Sequence, residues 1–146
     1  MTRDSPLTQG VARLVLAPTL LVAAAVLVKG YVDTGDGFAA GVIAALGIGL
    51  QYVAFGVEET ERRLPVRHVP LLAVAGLLLA LAVAFVPVAF GEPPLRHWPP
   101  ADAEVIHLGT LEILSAVAFD LGVFLLVLGS VVAAIRFVGA LEGPRP

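Results

Sequence analysis

Apolar residues in this chain fall in long, nearly unbroken blocks, not in the alternation of a half-buried strand or the stripe of a soluble helix. Four blocks reach the roughly 20 residues a helix needs to cross a bilayer. They run from about Val11 to Lys29, Phe38 to Val57, Leu71 to Phe90 and Leu108 to Val138. The last is longer than a bilayer requires and is expected to tilt or project from it. Pro18 and Pro87 can kink their helices without ending them. The connectors are short, and the third, "GEPPLRHWPPADAEVIH", contains two Pro-Pro pairs that forbid continuous helix. Its Trp98 suits the headgroup region, where amphipathic rings settle. The pattern predicts an all-α integral membrane fold, a single four-helix transmembrane domain over residues 1–146.

Composition agrees with the pattern. Hydrophobic residues make up 58% of the 146 and charged residues 14%, against roughly 25% charged in a soluble domain. Too little polar surface remains to cover four such blocks in water. The net charge of -3, with 9 Lys and Arg scattered between apolar runs, offers no basic surface for nucleic acid. The absence of cysteine excludes disulfides, thiolate catalysis and Cys-based metal sites. His68, His97 and His107 are too far apart in sequence to bind metal on one helical turn, and no HExxH spacing or Ser-His-Asp set occurs. No cofactor, metal or enzymatic chemistry is expected. His97 and Trp98 read as interface anchors, His68 as a surface residue, and Glu58 with Arg62 as an i,i+4 pair.

Arg3, Arg13, Arg62, Arg63, Arg67, Arg136 and Arg145 fall on one side of the predicted topology, and only Lys29 and Arg96 on the other. This asymmetry places both termini in the cytoplasm. The first connector, "KGYVDTGDGF", is then a tight outer turn in which Gly30, Gly35 and Gly37 supply unusual backbone angles.

Helices in lipid associate through small residues and buried polar groups. In the second block Ala40, Ala44, Gly47 and Gln51 fall within about 60° on a helical wheel, next to a GxxxG pair formed by Gly37 and Gly41. Gly37, Gly41, Ala44, Gly47 and Gln51 are the expected packing residues, with Gln51 either joining helices or lining a polar path. In the fourth block Glu112, Ala116, Asp120, Val123, Ser130 and Ala134 share a face of about 80° assigned to protein. The reverse side, with Leu114, Leu121, Leu125, Leu128 and Val132, is assigned to lipid or a greasy partner.

A continuous helix would carry Asp120 about 12 Å deeper than Glu112. No basic residue of the chain lies at that depth, and a buried carboxylate must be protonated, paired or facing water. Lys29, Asp33, Asp36 and His107 form an ionisable cluster at the outer rim, from which Glu112 leads inward to Asp120 and then stops. Two readings stay open for these six residues: an ion or proton path completed by a neighbouring protein, or structural and inter-subunit pairing.

The run "GYVDTGDGFAAGVIAALGIGLQYVAFG" resembles the B-type subunits of multisubunit Mrp-type Na+/H+ antiporters, in which a Gly-rich turn followed by Phe opens a helix ending in Tyr, an apolar residue, Ala, Phe and Gly. "GTLEILSAVAFDLGVFLLVLGSV" is similar to that family's final helix. Asp36 stands where the family usually has glycine, so no role is carried over to it. The resemblance implies a small multi-pass subunit in a prokaryotic cell membrane, beside larger subunits that exchange Na+ for H+. Its partners would be those subunits, the lipid bilayer and the two ions. Related domains occur in membrane-bound hydrogenase complexes, so membership of such a respiratory complex and a purely structural scaffold are the alternatives.

Overall fold

The computed structural model describes residues 5–30, 35–96, 107–108, 111–112 and 115–141. Asp33, His97 and Trp98 lie outside them. Among the described residues, four helices are long and apolar enough to cross a membrane: α1 (Pro6–Lys29), α2 (Gly37–Phe55), α4 (Val69–Ala89) and α5 (Ser115–Leu141). A seven-residue helix α3 (Val57–Arg63) follows α2, and a short antiparallel pair, β1 (His107–Leu108) with β2 (Leu111–Glu112), precedes α5.

Pro6 sits in the first turn of α1, where its missing N–H costs nothing, and Pro18 lies inside that helix without ending it. Gly56, at φ 80° and ψ 173°, separates α2 from α3. That backbone angle favours glycine, so α2 stops at Phe55, two residues before the expected end at Val57.

The fourth block begins differently from its sequence expectation. His107 pairs with Glu112 and Leu108 with Leu111 across β1 and β2. The helix is described from Ser115 onward. Glu112 is therefore a strand residue and not a member of the α5 face that carries Asp120.

Packing runs α1 on α2, α2 on α5 and α5 on α4. The central position of α2 shows in its burial: 56% of its apolar window is buried, against 11% for α1 and for α4. Gly37 and Gly41 on α2 meet α5, while Gly47 packs on Thr19 of α1. The expected packing residues of α2, Ala44 and Gln51 included, are all buried, but they serve two neighbours from two sides. Leu46 and Val53 of the same helix are exposed.

On α5 the assignment of faces is corrected. Leu128 and Val132 are buried, whereas Ser130 and Ala134 are exposed. Helix α5 lies between α2 and α4, so its buried positions are those nearest two helix axes. In lipid, side-chain polarity does not select those positions, because apolar groups gain nothing by leaving the bilayer.

Candidate functional site

The loop-side end of α1 and α2 closes on Asp120. Its Oδ2 accepts a hydrogen bond of 2.9 Å from the backbone N–H of Gly37, the first residue of α2, and the side chain is buried. The first N–H groups of a helix have no partner within it, and Asp120 supplies one from another helix. Asp36 occupies the N-cap position but makes no side-chain cap bond. Its carboxylate instead pairs with Lys29 Nζ at 3.0 Å, at the protein surface. The positive end of the α2 dipole adds a favourable field for the acidic side chain at Asp120.

Two glycines make the approach possible. A Cβ at Gly30 would lie 2.7 Å from Asp120 Oδ2, and one at Gly37 would lie 2.2 Å from the Asp120 carbonyl oxygen. Gly30 has φ −59°, an angle open to any residue, and Gly37 is helical. Both are required for space and not for unusual backbone angles. Only Gly35, at φ 122°, fits the expectation made for all three.

Asp120 is the sixth residue of α5, about 8 Å along the helix from its start. It thus lies at the level where α1 ends and α2 begins, near a rim. The structure brings together Lys29, Asp36 and Asp120 around Gly30 and Gly37. Among the expected ionisable residues, His107 and Glu112 are opposed across β1 and β2. The partner of Asp120 missing from the charge pattern is a backbone N–H; the glycines spaced around it are its trace in the sequence.

The opposite end carries the arginines. Gln51 Nε2 donates to the Ala12 carbonyl at 2.7 Å, joining α2 to α1, and Thr60 Oγ1 donates to the Gln51 carbonyl at 3.0 Å, tying α3 to the same point. Arg136 of α5 pairs with Glu61 of α3 at 2.6 Å. Within α3 it is Glu59, not Glu58, that pairs with the arginines: it meets Arg63 at 2.6 Å and Arg62 at 3.5 Å. Among the described residues no group of His, Asp and Glu could hold a metal ion.

Residues 7–133 match the family described as "Domain related to MnhB subunit of Na+/H+ antiporter". The chain belongs to the MnhB family. Among its relatives, the B-type Na(+)/H(+) antiporter subunit of Bacillus subtilis is 33% identical over 134 residues, covering 92% of each chain. A Rhizobium meliloti protein, named as a probable A/B-type subunit of a K(+)/H(+) antiporter, is 38% identical over 115 residues, 78% of this chain. This MnhB-family chain spans only 11% of that longer relative. With four spanning-type helices, it is a multi-pass protein of the prokaryotic plasma membrane.

Proposed function

We propose that the chain is a small integral subunit of a multisubunit monovalent-cation/proton antiporter, and that it supports the translocation path from the side without catalysing a reaction itself. The names of its relatives motivate the exchange of Na+ or K+ for H+. The observation that carries the structural role is Asp120. Its carboxylate is committed to the Gly37 N–H inside a contact too tight to admit even a Cβ at Gly30 or Gly37. A side chain held this way fixes the α1–α2 turn onto α5. The exposed apolar flanks of α1 and α4 are then the surfaces left for lipid and for larger subunits.

An amide at position 120 can still accept from Gly37, whereas an alkyl group leaves that N–H unpaired at a cost of about 1–3 kcal/mol. Asp120→Asn is therefore expected to assemble normally and keep at least about half of the antiport in everted vesicles, and Asp120→Leu to lower the amount of assembled complex about tenfold. Normal assembly of Asp120→Asn with antiport abolished would assign Asp120 to the proton path and overturn the reading.

The proposed orientation puts both termini in the cytoplasm. Support comes from Arg13, Arg62, Arg63, Arg67 and Arg136, which the helix directions gather at one end of the molecule, as the positive-inside bias requires. Single cysteines added to this Cys-free chain test it in intact cells. Position 67 should resist a membrane-impermeant maleimide and position 96, exposed at the other end, should react; the reverse labelling would invert the topology.

A further inference from the structure

Phe55 ends α2 facing two cations: the guanidinium carbon of Arg13 on α1 lies 5.2 Å from its ring centre, and that of Arg63 on α3 lies 4.6 Å from it. The three residues border a cavity of about 190 Å³ whose walls include Leu16 and Leu64. That is about six times the volume of a water molecule in the liquid, room for a phosphate with a few glycerol atoms but not for a whole lipid. Gln51 and Thr60 line it too, at the point where their bonds hold α1, α2 and α3 together.

Charge complementarity decides what the cavity suits. Arg63 shares Glu59 with Arg62, and among the described residues no carboxylate lies within ion-pair distance of Arg13. At this end Arg13, Arg62, Arg63, Arg67 and Arg136 outnumber Glu58, Glu59 and Glu61. Two guanidiniums held on one ring offer forked N–H donors, the geometry that phosphate oxygens match. The rest of the cavity wall is mostly apolar, with Leu16 of α1 and Leu64 on it. An anionic headgroup at the arginines could therefore set its glycerol and first acyl carbons against Leu16 and Leu64. A free anion would use only the first of these features.

We propose that this cavity is a binding site for the phosphate headgroup of an anionic phospholipid, which seals the junction of α1, α2 and α3 at the membrane interface. The proposal goes beyond the antiporter reading and stands whichever ion is carried.

Native mass spectrometry of the full chain, purified in detergent and supplied with equal amounts of phosphatidylglycerol and phosphatidylethanolamine, tests it. The wild-type chain should retain phosphatidylglycerol preferentially. The double variant Arg13→Gln/Arg63→Gln should lose that preference about tenfold, while Arg67→Gln, outside the cavity lining, should keep it. Circular dichroism checks that each variant remains helical. Equal loss in Arg67→Gln would mean diffuse attraction to a basic rim, and unchanged binding in the double variant would place the lipid elsewhere. Displacement by millimolar inorganic phosphate would make this a free-anion site. Loss of the bound lipid from the wild-type chain on assembly of the whole complex would give the cavity to a neighbouring protein. Each of these four results overturns the proposal.

Discussion

Replacing Gly37 by valine is expected to abolish the folded α2–α5 contact and with it nearly all assembled complex. Any side chain at this position begins with a Cβ 2.2 Å from the Asp120 carbonyl oxygen and 2.7 Å from its Oδ1. The first obstacle is backbone, so rotamer change cannot relieve it. Alanine is favoured over glycine inside helices by up to about 1 kcal/mol. Overpacking costs about 1–3 kcal/mol, and displacing Asp120 leaves the Gly37 N–H unpaired for about 1–3 kcal/mol more. The penalties exceed the gain, and even Gly37→Ala should lower the yield of folded chain several-fold. Gly10 provides the contrast, since a Cβ there meets nothing within 4 Å, and Gly10→Ala should be neutral or slightly stabilising. Size-exclusion profiles of fluorescently tagged variants check both. A Gly37→Ala chain that elutes and melts like wild type would refute the tight-joint account of Asp120.

The four spans are legible in the sequence because lipid demands long apolar runs whatever their packing. Helix ends and partners are less so. The fourth apolar block reads as one continuous helix, and nothing in it signals that His107 and Leu108 pair with Glu112 and Leu111. Gly37 and Gly41 are recognisable as a close-approach pair, but which helix they face is a long-range fact that a wheel cannot supply. Asp120 stands out from charge alone, yet its partner is a backbone group with no letter of its own. Arg13, Phe55 and Arg63 come from three helices, and nothing in their spacing announces that they meet. The seam between α4 and α5 is also hidden. Gly122 and Gly129 stand seven residues apart, the interval that returns a helix to the same side, but a high apolar background masks them.

That seam carries the second large effect. A Cβ on Gly76 would lie 2.4 Å from the Leu126 nitrogen and 2.5 Å from the Gly122 oxygen, and a Cβ on Gly129 would lie 2.3 Å from the Ala73 nitrogen. Helices α4 and α5 thus touch backbone to backbone at two levels. In water, forcing such helices apart by a few tenths of an ångström would still leave apolar side chains buried between them. In lipid that reserve is absent, because acyl chains replace the lost contacts at almost no cost. Since α5 is the main neighbour of α4, little else would hold α4 in place. Gly76→Val and Gly129→Val should each destabilise the chain by about 1–3 kcal/mol, and the double variant should leave α4 detached although its own helix persists. The expected signature is a near-normal helical circular dichroism spectrum with the cooperative melting transition in detergent lost. Retention of that transition in the double variant would show that α4 is held by something other than this glycine seam.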